Sequence, residues 1–194
     1  MGRVLEFADQ EALERAMHVF WEKGYQNTSL KDLLSAMNIL NGSFYNAFGN
    51  KKNVYLKALQ MYEVDFNARI KKLFEANMTF GKKIRIFFDY VVNRQLDKSF
   101  PKGCFVVNSI ESSAVSEPDI REFLTVFFAN FEAFMADELT KSAANGELAA
   151  GIDPGHTAAA LNVYTQGLMK LSILTFSPTK FHAQTEYFLK RLGL

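Results

Sequence analysis

The chain contains few cysteines and prolines and has no large excess of charge of one sign. Its single cysteine, Cys104, excludes an internal disulfide and a cysteine-rich metal site, which fits a reducing cytoplasm. With 22 basic and 21 acidic residues, the overall charge identifies no polyanionic partner. Four prolines and 11 glycines are too few for a fibrous or low-complexity protein.

Long apolar runs and catalytic motifs are also missing. The most apolar stretch, residues 167–176, is interrupted by Lys170 and is shorter than the roughly 20 residues that span a bilayer. No basic-then-apolar leader is present, so we expect a cytoplasmic protein without a membrane partner. The three histidines are scattered, and no nucleophile elbow, P-loop or dinucleotide motif occurs. We therefore expect no metal, no cofactor and no enzymatic activity.

Helical spacing of apolar residues extends over almost the whole chain. Stripes at i, i+3, i+4 and i+7 recur from Leu13 to the C-terminal region, and no strand-like alternation of useful length interrupts them. The hydrophobic fraction is 48 %, which is enough to bury a sizeable core. The pattern predicts an all-α protein of about nine helices, the last two over about residues 155–176 and 179–192.

Three short helices near the N-terminus have the layout of a helix-turn-helix unit. Ser29 and Asp32 form a capping-box pattern at the start of the second helix, and Asn38 suits the tight turn that follows. The third helix is predicted within residues 41–48, anchored by a buried row of Leu40, Phe44 and Phe48. Four lysines against one aspartate over residues 28–60 supply the local positive charge that the whole chain lacks. The last short helix is the predicted recognition helix for a DNA major groove.

The segment from Phe20 to Leu59, which contains "GYQNTSLKDLLSAMNILNGSFYNAFGNKKNVY", resembles the N-terminal domain of the tetracycline-repressor (TetR) family. The rest of the chain resembles that family only in helix number, length and apolar character. The resemblance implies a homodimeric transcriptional regulator, usually a repressor, that a small molecule releases from a palindromic operator in double-stranded DNA. It also implies a DNA-binding domain at residues 1–50 and an effector-binding and dimerisation domain at residues 51–194.

Carried over position by position, the resemblance implies a set of DNA contacts. Tyr45 matches the tyrosine that touches phosphate, and Lys51 matches the lysine that opens the fourth helix. The alternative for Tyr45 is a half-buried aromatic residue of the core, and the alternative for Lys51 and Lys52 is an ordinary pair of solvated lysines. The implied DNA-binding residues are Thr28, Ser29, Asn41, Gly42, Ser43, Tyr45, Asn46, Lys51 and Lys52.

Three positions depart from the family pattern. Asn38 stands where glycine is preferred, and Leu40 stands where a serine or threonine usually caps the recognition helix. The lost cap costs about 1 kcal/mol of helix stability unless another group satisfies the amides. Lys52 replaces a common glutamate and is expected to add a phosphate contact.

Phenylalanines and the cysteine in the C-terminal part suggest an apolar effector site. Cys104 follows Pro101 and Gly103 at a predicted helix start, where the helix end and Lys102 favour the reactive thiolate. Some TetR-family regulators that respond to electrophiles carry a similar Gly-Cys pair. The alternative interpretation makes these residues plain core. The predicted effector-binding residues are Phe87, Phe88, Cys104, Phe105, Phe127, Phe128 and Phe131.

The last two helices combine small residues with leucines, a composition that permits close helix packing. They are predicted to pair with those of a second copy as a four-helix bundle. The predicted dimerisation residues are Leu161, Gly167, Leu168, Leu171 and Phe188. An alternative function is a helical interaction module that binds a peptide or lipid in a Phe-rich groove.

Overall fold

The computed structural model describes the backbone of residues 2–149 and 151–194, and the side chains of residues 10–149 and 151–194. Over these residues it contains nine α-helices and no strand, which confirms the predicted all-α class. A short 3-10 turn, Ser113–Ser116, lies between the sixth and seventh helices. The helices are α1 Gly2–Asn27, α2 Leu30–Met37, α3 Asn41–Phe48, α4 Lys51–Phe74, α5 Phe80–Arg94, α6 Phe105–Ser109, α7 Pro118–Ala144, α8 Pro154–Leu174 and α9 Pro178–Arg191.

The chain divides into two compact units. The first unit contains the residues up to Asp65 together with Phe105–Leu124, and the second contains Phe66–Cys104 and Thr125–Leu194. The division therefore falls within α4 and within α7. None of the helices described is long and apolar enough to cross a membrane.

The first unit is held by an apolar core under the three N-terminal helices. Phe20, Leu33, Met37 and Phe44 are almost completely buried, and the ring of Tyr55 packs edge-on against Phe20 at 4.9 Å between centroids. Each of these side chains lies on the apolar stripe of its own helix. Burial of these stripes supplies the stability that helices of only eight residues lack by themselves.

The predicted capping box at the start of α2 is present. The Ser29 hydroxyl accepts a hydrogen bond from the Asp32 amide at 3.1 Å, and the Ser29 amide donates to the Asp32 carboxylate at 2.9 Å. Lys23 Nζ lies 2.7 Å from the same carboxylate. At the other end of α2, Asn38 adopts the expected left-handed conformation, with φ 55°.

Two helix boundaries differ from the sequence-based expectation. Glycine commonly ends a helix, so the sequence predicts that the first helix stops at Gly24; α1 instead extends to Asn27, although Gly24 breaks its helical geometry with φ 76°. The apolar pattern after Gly103 predicts a short helix from about Cys104 to Ala114, but α6 ends at Ser109. Serines explain this early end: Ser109 donates its hydroxyl to the Phe105 carbonyl, and Ser112 caps the amide of Ala114. Such side-chain bonds compete with a continuing helix.

The second unit is built from α5, α8, α9 and parts of α4 and α7. Arg85 on α5 binds Glu186 on α9, with Nε at 3.0 Å from Oε1. The rings of Tyr164 on α8 and Phe188 on α9 stack at 4.0 Å. The first amide of α5 has no cap from Thr79, and Glu147 accepts its hydrogen bond instead. These contacts connect the helices of the second unit and cap the start of α5.

The capping box generates a first prediction. Changing Ser29 to Ala should lower the free energy of unfolding by about 1 kcal/mol, because the Asp32 amide loses its acceptor. Urea denaturation at neutral pH measures this. Ser35→Ala is the matched control, because Ser35 is exposed on the same helix. An equal loss of unfolding free energy in both variants would show that the Ser29 cap makes no specific contribution to stability.

The same contacts make this stabilisation depend on pH. Hydrogen bonds from Lys23 and Ser29 lower the pKa of Asp32 below its ordinary value. A carboxyl group whose pKa is lowered by folding stabilises the folded state above its unfolded pKa of about 4, and this contribution disappears as the pH falls below that value. The stability difference between the native chain and Asp32→Asn should shrink accordingly in acid.

Candidate nucleic-acid interface

The recognition helix α3 has one buried and one exposed face. Phe44 and Phe48 point into the core of the first unit, where both are buried. The remaining side chains are exposed, and most of them are small or polar: Asn41, Ser43, Tyr45, Asn46 and Ala47. Gly42 lies among them, and an added Cβ there would meet no atom within 4 Å. This face therefore exposes hydrogen-bonding groups, and no other part of the protein that the structure describes covers the main chain at Gly42.

The prediction that Leu40 is buried with Phe44 and Phe48 is wrong. The side chain of Leu40 is 80 % exposed. Helical spacing places Leu40 on the buried face, but residue 40 precedes the helix and has extended backbone angles, φ −80° and ψ 157°. Its side chain therefore does not follow the helical stripe. As expected for leucine, it forms no side-chain cap.

Tyr45 lies next to this face with about half of its surface available. Its side chain is 51 % exposed, and its ring packs edge-on against Phe44 at 5.5 Å. The contact with a buried ring holds the tyrosine in place without covering it. Tyr45 is thus both anchored and accessible.

The two residues before α2 are less available than their predicted role requires. Thr28 is buried, and its hydroxyl donates to the Gly24 carbonyl at 2.7 Å. Ser29 is exposed, but its hydroxyl takes part in the capping box with Asp32. In this conformation Thr28 offers a partner almost no side-chain surface, so its DNA contact would have to use the main chain.

Lys51 and Lys52 open α4 directly after Asn50, whose side-chain oxygen accepts a hydrogen bond from the Asn53 amide. Lys51 Nζ lies 4.5 Å from the centroid of the Tyr25 ring, and burial lowers the pKa of this lysine. Its exposed fraction is intermediate. The ammonium group is therefore held near the N-terminus of α4, next to the end of α3.

Lys52 has acidic neighbours that the sequence did not reveal. Its Nζ lies 2.9 Å from Asp119 and 3.7 Å from Glu117, at the start of α7. The hydrogen bond to Asp119 raises the pKa of Lys52. These two carboxylates offset much of the positive charge of Lys52, so a phosphate would have to compete with them. No local pattern could have found this pair, because the partners are distant in sequence.

Tyr25 is a further residue that sequence reasoning left without a role. Its ring lies 4.9 Å from that of Tyr55 and 6.1 Å from that of Phe20, beneath the Lys51 ammonium group. Burial, followed by the charge of Glu117, raises the pKa of Tyr25. Tyr25 therefore stays neutral and supports Lys51 from below. The Gly24-Tyr25 pair near the end of α1 was the available signal.

The predicted effector residues fall into two groups. In the second unit, the ring centroid of Phe87 lies 5.3 Å from that of Phe88 and 5.7 Å from that of Phe131. The ring of Phe127 packs edge-on against that of Phe128. Phe105 belongs to the first unit and packs there against rings of α1 and α4, those of Trp21, Tyr55 and Tyr62. Cys104, directly before α6, is only 5 % exposed. Phe66, not predicted, joins Phe127 and Phe131.

The predicted dimerisation residues border a groove between α8 and α9. The groove has a volume of about 620 Å³ and an apolar lining that includes Gly167, Leu168, Leu171 and Phe188. Leu171 is 56 % exposed, and Val163, Leu174 and Tyr187 on the same two helices are exposed still further. Leu161, in contrast, is fully buried inside the protomer and has no surface to offer.

The described residues hold no group of three or more His, Cys, Asp or Glu side chains that could bind a metal ion. The exposed polar face of α3, flanked by Tyr45 and Lys51, is the arrangement of a helix-turn-helix DNA-binding protein.

Comparisons with known proteins agree with this class. Residues 12–58 match the tetR family of bacterial regulatory proteins, and residues 81–188 match the tetracyclin repressor-like C-terminal domain. The chain is 32 % identical over 148 residues to the uncharacterized HTH-type transcriptional regulator YezE of Bacillus subtilis (strain 168), covering 76 % of each chain. It is 30 % identical over 168 residues to the HTH-type transcriptional repressor ComR of Escherichia coli (strain K12), covering 86 % of this chain and 80 % of ComR.

A solved structure is similar over almost its full length. It is a cysteine mutant of the TetR family transcriptional regulator CifR, complexed with 26-base-pair double-stranded operator DNA, with a TM-score of 0.84 and 26 % identity. The match covers 92 % of this chain and 94 % of that one. The present chain belongs to the TetR family of transcriptional regulators. The prediction of a DNA-binding regulator, rather than an enzyme, is confirmed by this membership.

Lys51 generates the prediction for this site. Lys51→Ala should weaken binding to all DNA sequences and reduce the slope of log affinity against log salt by about one for each lysine removed, because one phosphate contact is lost. Fluorescence anisotropy at several salt concentrations measures the slope. Lys72→Ala is the control, because Lys72 is an exposed lysine in the last turn of the same helix. An unchanged slope would remove Lys51 from the phosphate contacts.

Proposed function

We propose that this protein is a homodimeric repressor that binds a palindromic operator through α3 and is released from it by a small apolar effector. The observation that carries the proposal is the two-faced recognition helix, with Phe44 and Phe48 buried and polar groups exposed. We assign DNA binding to residues 1–50 and effector binding and dimerisation to residues 51–194. Binding to fragments of the DNA upstream of its own gene, in a gel-shift assay, tests the DNA-binding part.

The contacts to DNA divide into two kinds. Asn41, Ser43 and Asn46 have the donors and acceptors that read base edges in a major groove, and Gly42 allows close approach of the main chain. Tyr45 and Lys51 are placed to bind phosphates, together with the less available Thr28, Ser29 and Lys52. The phosphate contacts would position the helix, and the base contacts would select the sequence.

A second copy of this chain is the proposed occupant of the α8 and α9 surface. Leu171 and Tyr187, both exposed, line the apolar groove, and Val163, Ile173 and Leu174 are further exposed apolar side chains on α8. Exposed apolar surface of this kind is stabilised when it is covered. A two-fold axis through it would make each protomer present the same face, which matches the symmetry of a palindromic operator.

The proposed effector site lies among the phenylalanines of α5 and α7 in the second unit. The Phe87 ring contacts those of Phe88 and Phe131, and the Phe127 ring contacts that of Phe128, so a ligand would have to separate rings that now touch. Such a site suits a small apolar molecule. It does not suit a peptide, because the side chains of Phe87 and Phe88 are almost fully buried and offer no surface groove.

Dimerisation generates a prediction with a matched control. Leu171→Glu should convert the dimer to a monomer, because a charge would be buried at the centre of the interface, and operator affinity should fall by at least tenfold when the two half-sites bind separately. Leu96→Glu is the control, since Leu96 follows the end of α5, is 52 % exposed and does not line the groove. Sedimentation velocity measures the assembly state. A Leu171→Glu protein that remains dimeric would place the interface elsewhere.

Cys104 generates a second prediction. Because its thiol is 5 % exposed, we expect N-ethylmaleimide to label the folded protein far more slowly than the urea-unfolded protein, and to leave operator binding unchanged. Mass spectrometry measures the labelling, and a gel shift measures the binding. If labelling releases the native protein from DNA but does not affect Cys104→Ser, the trigger is the thiol and not the apolar site.

A further inference from the structure

Leu40 is the most unusual residue on the proposed DNA-binding face. It directly precedes α3 and is 80 % exposed, whereas its neighbours on this face are polar or small. A single exposed leucine needs no explanation by itself. Its position does, because the residues at the N-terminal end of a recognition helix are the ones that contact base edges.

The fold gives no reason for a leucine at this position. Residue 40 is the N-cap of α3, where serine, threonine, aspartate or asparagine would satisfy a free amide, and Leu40 forms no such bond. Its side chain is also not part of the core. Leucine at this position therefore gives up a cap and exposes apolar surface without a compensating contact inside the protomer.

Gly42 gives independent support for a partner that approaches closely here. It lies in the first turn of α3, where glycine lowers helix stability relative to alanine. A Cβ added at this position would meet no atom of the protein within 4 Å, and the backbone is not in the left-handed region that favours glycine. Neither the packing of the protein nor the backbone conformation therefore requires glycine at residue 42, and its missing side chain leaves the main chain of α3 open to a partner.

We infer that Leu40 determines part of the operator sequence by contacting the C5-methyl group of a thymine in each half-site. This inference rests on the proposed placement of α3 in the major groove. Leucine has no side-chain donor or acceptor, so it can bind neither a phosphate nor the polar atoms of a base edge. The thymine methyl is the apolar group that the major groove presents, and it distinguishes thymine from cytosine.

Replacing single thymines of the operator by deoxyuridine tests the contact, because this change removes the methyl group and keeps every hydrogen-bonding atom. For the native protein, replacing the contacted thymine in one half-site should weaken binding about fourfold, the effect of one buried methyl group. Replacing it in both half-sites should weaken binding about 15-fold. Leu40→Ala should bind the thymine and uridine operators equally at this position. Leu96→Ala, which changes an exposed leucine elsewhere, should keep the full discrimination.

Leu40→Ser separates base reading from a structural role. Serine supplies the missing cap, so the thermal stability of the variant should rise while its preference for thymine over uridine disappears. If Leu40 were only structural, Leu40→Ala would weaken binding to the thymine and uridine operators by the same factor and leave their ratio unchanged. That result would overturn the inference while operator binding by the native protein remained. A native protein that bound no operator would instead overturn the proposed function.

Discussion

The burial of Phe44 under the N-terminal helices is the contact on which the proposed DNA-binding face depends. Helix α3 has only eight residues, too few to persist in water without tertiary contacts. The buried side chains of Phe44 and Phe48 pack α3 against the rest of the first unit, and Tyr45 packs against the Phe44 ring. The exposed residues of α3 can then carry polar groups freely, because none of them has to supply the apolar contacts that hold the helix.

Charge on this face is arranged by contacts within the first unit. The Lys51 ammonium group lies over the Tyr25 ring, whereas Lys52 is held by Asp119 and Glu117. Adjacent lysines thus have different electrostatic surroundings. Opposite charge close to Lys52 weakens its attraction for a phosphate, and the neutral ring under Lys51 leaves its charge effective. The number of lysines in this segment therefore overstates the positive charge that a DNA backbone would meet.

In the second unit the apolar residues serve two different purposes. Phenylalanines of α5 and α7 fill the interior through ring contacts, whereas Leu171, Leu174 and Tyr187 remain at the surface of α8 and α9. Both sets have the same helical spacing in sequence. Only the packing separates residues that stabilise the protomer, such as Leu161, from those that are available to a partner.

The sequence by itself determined the all-α class and the approximate positions of the helices, the capping box at Ser29 and Asp32, the left-handed turn at Asn38 and the family of the N-terminal domain. These features depend on residues within about four positions of each other, or on a contiguous motif. Only the tertiary structure decided the exposure of Leu40, the ion pairs of Lys52 and the burial of the Thr28 hydroxyl. It also placed Phe105 among rings of the first unit, apart from the other predicted effector residues. Helical periodicity does not apply to a cap residue, and the partner of a side chain depends on segments that only folding brings together.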